Sequence, residues 1–232
     1  MKISVATVCF NSAFSIEHTI HSVLCQTFDN IEFVIVDGGS TDGTIEILNK
    51  YSDRIVSISE PDKGVYDAMN KALKMATGDF LIFLGSDDHF VSSDVLERMA
   101  NLMVDNSTIY YGNVLRPLNM DIYCGRYNKY KLAVKNISHQ ALFYPRSVYQ
   151  TKQYNLEYRI FADYVYNMQL WKKVKFQYVP IIVSYYNESG LSSTSRDKAF
   201  ENDYAKLRRD NLGLLPLIYS VIYHHLRRIL KG

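Results

Sequence analysis

Asp79-Phe80-Leu81-Ile82-Phe83-Leu84-Gly85-Ser86-Asp87-Asp88-His89 is a run of apolar residues that stops at two adjacent carboxylates. The five consecutive apolar side chains from Phe80 to Leu84 predict a strand covered on both faces, as in a parallel sheet flanked by helices, and so a strand in the middle of a domain. In open α/β sheets ligands bind beyond the carboxyl ends of the strands, which puts Ser86-Asp87-Asp88 where chemistry is expected. Adjacent carboxylates raise each other's pKa unless a cation joins them. A divalent cation with hard oxygen ligands, Mg2+ or Mn2+ shared with substrate phosphates, is the simplest such partner. The same three residues also suit a helix cap or a turn.

Upstream, the pattern is a regular alternation. Ile3 to Phe10 is β-rich and ends in Asn11-Ser12, and Ile16, Ile20, Val23 and Leu24 then recur at helical spacing. Ile31 to Val36 predicts a second buried strand, followed by Asp37-Gly38-Gly39-Ser40-Thr41-Asp42-Gly43-Thr44 and a helix from Thr44 to Tyr51. The glycines in that loop suit either close approach of backbone N–H groups to a ligand or an ordinary turn with Asp42 as helix cap. Arg54 to Ser59 reads as a third strand. Glu60-Pro61-Asp62-Lys63-Gly64 leads into a helix to Ala76 whose apolar stripe is Val65, Met69, Ala72, Leu73 and Ala76, with Thr77-Gly78 as its stop. Four strands and three helices in this order predict a parallel sheet.

Downstream, Ser92-Ser93-Asp94 is expected to cap a helix to about Val104, with Val95, Leu96, Met99 and Leu102 inward. The alternation then becomes irregular. Strands are expected at 109–114, 121–127 and 141–144, the last after Ser138-His139-Gln140. A helix at 160–171 carries Asp163, two short strands flank Pro180, and a polar helix runs from Asp197 to Asn211. Leu212 to Leu230 is aromatic-aliphatic and then basic, too short and interrupted to span a bilayer. It suits either packing, on the domain or in a dimer, or lying in a membrane interface with its cations toward anionic headgroups. No domain boundary is evident before residue 195, so the chain is read as one domain over 1–195, with halves 1–106 and 107–195, and a helical tail over 196–232.

Composition narrows the classes of function. With 47% hydrophobic and 22% charged residues the chain is globular. Eight Lys/Arg stand against four Asp/Glu from Arg196 to Gly232, so the net charge of +2 conceals +4 in the tail and −2 elsewhere. That distribution argues against a nucleic-acid partner, which calls for a broad basic surface. Cys9, Cys25 and Cys124 are odd in number and lack metal-ligand spacing, which suits a reducing cytoplasm. The opening Met1-Lys2-Ile3-Ser4-Val5 does not read as a signal peptide. The 19 tyrosines suit sugar-contacting surfaces and core packing equally well.

The loop at 37–44, the segment Glu60-Pro61-Asp62-Lys63-Gly64-Val65-Tyr66-Asp67-Ala68-Met69-Asn70-Lys71-Ala72, and Gly78-Asp79 through Ser86-Asp87-Asp88 closely resemble family 2 glycosyltransferases in residues, order and spacing. Val8-Cys9-Phe10-Asn11, Ser22 to Thr27, Ser138-His139-Gln140-Ala141 and Ala162-Asp163-Tyr164 extend the resemblance over most of residues 1–190. It implies a GT-A nucleotide-sugar-binding fold: a mostly parallel sheet flanked by helices, with a smaller mixed acceptor-side sheet. It also implies an inverting, metal-dependent transfer from a nucleotide diphosphate sugar, with UDP favoured. By the same resemblance Thr7, Asn11 and Asp37 would hold the nucleoside, with Asp37 accepting the base imide N–H. Lys63 would meet the diphosphate, and Asp67 would order the loop or touch the ribose. Ser86-Asp87-Asp88 stands for the metal motif, with Asp88 a direct ligand and Asp87 a contact to ribose, sugar or metal.

Asp163 matches the family's catalytic base. A helix-start acid stabilised by the macrodipole is its structural alternative. His139 and Gln140 suit a contact to diphosphate, metal or acceptor, and a satisfied strand-end histidine is equally compatible. Residues 154–160 lack the lead-in many relatives carry before the base, and Glu188-Ser189-Gly190-Leu191-Ser192 resembles the family's late flap. The implied acceptor is a lipid-linked oligosaccharide of surface polysaccharide assembly, O-antigen among the candidates, met at the cytoplasmic face of the membrane. A nucleotidyltransferase and a binding protein without turnover are the competing readings. Oligomeric state stays open.

Overall fold

The computed structural model describes residues 1–117, 119–187 and 196–230. Within them β1 (Ile3–Cys9), β2 (Ile31–Asp37), β3 (Val56–Ser59) and β4 (Phe80–Phe83) pair in parallel in the order β3-β2-β1-β4. Between them run α1 (Ile16–Leu24), α2 (Thr44–Lys50) and α3 (Val65–Met75), so the expected parallel half is present. β4 explains its own composition. Phe80 and Ile82 face one apolar cluster with Ile3, Val5 and Ile20, while Leu81 and Phe83 face a second with Ala6, Met69 and Leu73. With both faces covered there is no polar position to fill, and the alternation of a half-exposed strand disappears.

β5 (His89–Phe90), α4 (Val95–Ala100), β6 (Ile109–Arg116) and β7 (Asp121–Tyr123) follow. Then come α5 (Lys129–Val134), a 3-10 turn at His139–Ala141, β8 (Leu142–Pro145), α6 (Arg146–Tyr149), α7 (Ala162–Trp171) and β9 (Phe176–Tyr185). The mixed half is joined to the parallel half through β8, which pairs antiparallel with both β4 and β6. The sheet continues through β9, parallel to β6, to β5, with β7 on the other flank of β6.

Three expectations are corrected, the first being the strand at 121–127, which is only β7, Asp121–Tyr123, and stops where Cys124 takes a φ of 102°. The segments flanking Pro180 are one ten-residue strand, β9. Pro180 lies where the β6–β9 register shifts between Tyr111 and Asn113, so its missing N–H falls in a bulge. The helix expected to reach Val104 ends at Ala100; Leu102 is 46% exposed and Met103 takes the inward position.

The C-terminal segment is two helices, α8 (Lys198–Leu212) and α9 (Leu214–Ile229). Asp197 caps α8 by accepting from Phe200 N, and its other oxygen accepts from Ile160 N at 3.0 Å, just before α7. Arg208 is buried in α8, where its Nε donates to Ala133 O at 2.7 Å and its guanidinium lies 3.5 Å from the centre of the Tyr204 ring. No helix of the described residues is long and apolar enough to cross a membrane.

Candidate active site

The apolar drive of β4 ends in a turn. Asp88 N donates to Gly85 O at 3.2 Å, so Gly85-Ser86-Asp87-Asp88 folds back at the sheet edge before β5 begins. The turn and the acid site are therefore the same feature. Asp87 stands exposed, whereas Asp88 is only 2% exposed. Asp88 Oδ2 accepts from Gly85 N at 3.1 Å and Gln140 Nε2 at 2.8 Å, and Oδ1 accepts from Asn187 N at 2.8 Å. Asn187 Nδ2 also reaches Asp87 Oδ2 at 2.9 Å. A methyl group on Gly85 would lie 2.4 Å from Asp88 Oδ2 and 3.1 Å from Asp87 Oδ1, so the carboxylates sit directly over a backbone that only glycine leaves open.

This donor set fits a hard divalent cation. Burial pushes the Asp88 carboxyl above its ordinary pKa, a rise that the Asn187 and Gln140 hydrogen bonds oppose and the neighbouring Asp87 adds to. Its hydrogen-bond donors are neutral, and Oδ1 has accepted one bond where a carboxylate oxygen can accept about two. A buried negative charge of this kind calls for a cation. The described residues hold no cluster of three or more His, Cys, Asp or Glu that could bind a metal unaided. Asp87 and Asp88 are thus suited to Mg2+ or Mn2+ completed by phosphate oxygens and water.

Asp163 lies in the first turn of α7, 7% exposed. Oδ1 is hydrogen-bonded to Tyr66 Oη at 2.9 Å and Tyr164 N at 2.8 Å; Oδ2 to Asn136 Nδ2 at 2.8 Å and His139 Nδ1 at 3.3 Å. His139 joins the two acidic centres. With Gln140, Tyr66, Ile160 and Tyr186 it lines both a cavity of about 440 Å³ holding Asp87 and Asp88 and one of about 420 Å³ holding Asp163.

The remaining expected residues divide. Asn11 and Ser86 line the first cavity, and Ser12 Oγ lies 3.0 Å from Ser86 Oγ, tying the loop after β1 to the acid turn. Thr7 is fully buried, and its hydroxyl has no hydrogen-bond partner among the described residues. Lys63 is exposed, and its backbone N–H donates to Asp67 Oδ2 at 3.0 Å, so Asp67 orders the loop. The loop at 188–192 lies outside the described residues.

Asp37 is turned inward. It is fully buried, with Oδ2 accepting from Gly39 N, Ser40 N and Ser59 Oγ and Oδ1 from Ser40 Oγ. Burial alone would raise its pKa, but the Ser40 and Ser59 hydrogen bonds outweigh that and hold it below the ordinary value. Its lone pairs are spent on its own loop, on Ser59 at the end of β3 and on the Cys9 thiol at the end of β1. The carboxylate beside that loop is Asp62, whose Oδ2 lies 2.5 Å from where a Gly38 side chain would begin, next to the exposed ring of Phe10. Asn187, Asn136 and Tyr66 are residues of the two cavities that sequence reasoning missed, and Asp62 lies outside both linings, beside Gly38. Tyr66 and Asp62 stood inside the quoted motif, while nothing local marked Asn136 or Asn187.

The family model for glycosyl transferase family 2 matches residues 4–177. A PGL/p-HBAD biosynthesis glycosyltransferase of Mycobacterium tuberculosis is 36% identical over 208 residues, covering 85% of this chain and 81% of that protein. The Escherichia coli UDP-Glc:alpha-D-GlcNAc-diphosphoundecaprenol beta-1,3-glucosyltransferase WfaP is 36% identical over 113 residues, 48% of this chain and 45% of its own length. Among solved structures, Staphylococcus aureus TarS 1-349 in complex with UDP-GlcNAc superposes with a TM-score of 0.74 at 19% identity. That match covers 91% of this chain and 66% of the TarS chain, and it shows a shared fold.

Proposed function

The chain belongs to glycosyl transferase family 2 and is a glycosyltransferase; from that premise we propose that it moves a sugar from a UDP-sugar to a hydroxyl of a lipid-diphosphate-linked acceptor in surface polysaccharide or glycolipid assembly. The observation that carries this reading is the pair of adjoining cavities, acids of the sheet edge in one and Asp163 in the other, with His139 in the wall of both. UDP as carrier and a lipid-diphosphate acceptor are taken from what TarS binds and what WfaP is named for.

In this reading the donor diphosphate lies over Asp87 and Asp88, where a bound Mg2+ or Mn2+ would neutralise the charge of the leaving group. Asp88 would give one carboxylate oxygen to the cation while Gln140 and Asn187 hold the group in place. Asp87 would contact ribose, sugar or the same cation, and Lys63 would supply a second positive charge to the diphosphate. The nucleoside would rest against Asn11 and Phe10, and Asp62, in place of Asp37, would accept the base imide N–H.

The acceptor hydroxyl oxygen attacks the anomeric carbon, the bond from that carbon to the phosphate oxygen breaks, and the configuration inverts. Asp163 takes the hydroxyl proton. Its weakest hydrogen bond, the 3.3 Å contact from His139, is the one an incoming hydroxyl displaces, because the tighter ones come from Tyr66, Tyr164 and Asn136. Measuring UDP binding beside sugar transfer tests the assignment: Asp163→Asn is expected to bind UDP with metal as the wild type does and to lose turnover. Retained turnover would remove Asp163 from the role.

A further inference from the structure

Helix α9 presents its apolar side outward. With about 100° between successive residues, Leu214, Ile218, Val221, Ile222 and Ile229, with Leu226 toward its edge, share an arc of roughly a half-circle, and each is 46–62% exposed. The arc is polar only at His225. The face packed on the domain is the narrower one and is not rich in large aliphatics: Pro216 and Ser220 are its buried residues. It meets α5 through the Tyr130–Tyr219 ring contact at 5.6 Å and α8 through Tyr204–His224 at 6.0 Å. Core packing therefore does not account for the aliphatic arc.

The second observation is electrostatic. Beside the arc, between α8 and α9, opens a groove of about 1100 Å³ lined by Arg196, His224, His225, Arg227 and Arg228, with Glu201 the one acid among the described residues of its lining. α9 itself carries no Asp or Glu. An apolar arc edged by cations, with no acids of its own, is complementary to an anionic bilayer, whose acyl layer takes the aliphatic side chains and whose headgroups meet the guanidinium groups. A second copy of the chain would offer the arc an apolar face but bring to the groove the same cations.

We propose that α9 lies in the surface of an anionic membrane, its outer arc among the acyl chains and the α8–α9 groove holding headgroup phosphates. The placement serves the site. α5, on which α9 packs, leads through Val134 and Lys135 to Asn136, and these residues line the Asp163 cavity. A helix docked in the bilayer thus puts that cavity next to the headgroup layer. This last point rests on the acceptor reading above; the docking itself does not.

Flotation of the full chain with phosphatidylcholine vesicles, with and without phosphatidylglycerol and with neither nucleotide nor acceptor added, separates the two. The chain is expected to float with the anionic vesicles and much less with the neutral ones. Ile218→Glu combined with Ile222→Glu is expected to abolish flotation. Arg227→Glu combined with Arg228→Glu should weaken it by about tenfold or more, with the deficit largest at low salt, where the wild type's attraction to the headgroups is least screened. Both variants alter exposed positions, and an unchanged melting temperature will confirm that they fold. Asp163→Asn is expected to float as the wild type does. Failure of the wild type to float with anionic vesicles would overturn the docking and leave the sugar-transfer reading standing. So would a dimer in analytical ultracentrifugation that the Ile218/Ile222 variant converts to a monomer while vesicle binding is unaffected.

Discussion

Gly85→Ala isolates the acid turn from everything else in the fold. Gly85 is not among the residues with positive φ, so alanine is conformationally tolerated and only the new methyl group matters. That methyl would meet Asp88 Oδ2 at 2.4 Å, far inside contact distance. Asp88 cannot swing away cheaply, because Gly85 N, Gln140 Nε2 and Asn187 N all hold it and Gln140 is itself buried. Overpacking costs about 1–3 kcal/mol, and stranding the buried Gln140 amide adds about 1–3 kcal/mol. At roughly 2–4 °C per kcal/mol for a chain of this size, the melting temperature is expected to fall by at least about 4 °C. Stabilisation by UDP in the presence of Mn2+ should fall with it, since the carboxylate that moves is the one assigned to the cation. Differential scanning fluorimetry with Mn2+, with and without UDP, reads both effects. An unchanged melting temperature together with an undiminished UDP shift would refute the claim that Asp88 is fixed over Gly85 and serves the donor site.

Other expectations follow from single contacts. Asp163→Asn should reduce the transfer rate by about 10²–10⁴-fold, the usual worth of a general base, with UDP affinity within about twofold of wild type as read by calorimetry. Asp62→Ala should weaken UDP binding by about tenfold, the value of one hydrogen bond to a charged group, whereas Asp37→Ala should chiefly lower the melting temperature; the reverse pattern would restore Asp37 as base reader. Burial alone would raise the Glu32 pKa, but hydrogen bonds from Lys2, Ser4 and Thr77 outweigh it and lower the pKa to about 2. Being lower folded than unfolded, it contributes stability that is present above about pH 4.5 and is lost as pH falls toward 2. Acid unfolding of Glu32→Gln should therefore begin from a lower plateau and show a shallower slope over that window.

What the sequence made legible was whatever depends on near neighbours. The apolar run at 80–84 announces a strand covered on both faces because its residues alternate between two cores, whereas α1, α2 and α3 start without side-chain caps and are held by packing. The acid turn was legible for the same reason, since Gly85 to Asp88 close on themselves. Asn187 meets Asp88 across 99 positions and Tyr66 meets Asp163 across 97; the fold makes those contacts, and no periodicity foreshadows them. A carboxylate at the end of a strand looks the same in sequence whether it faces a ligand or, as Asp37 does, lies buried among the N–H and O–H groups of its loop and of Ser59. Pro180 suggested a break because a proline cannot donate to a ladder, and only the pairing with β6 shows that a bulge absorbs it. α9 was legible as apolar and basic, but which side of it faces the domain is decided by packing against α5 and α8.

In the proposed function the acid turn after β4 binds a nucleoside diphosphate through a divalent cation, and Asp163 acts on what is bound beside it. Calorimetric titration of UDP into the wild type, Asp88→Asn and Asp163→Asn, each with Mn2+ and with chelator, tests it most directly. The expected result is metal-dependent binding in the wild type and Asp163→Asn and none in Asp88→Asn. UDP binding that is indifferent to chelator, or that survives Asp88→Asn unchanged, would contradict the account.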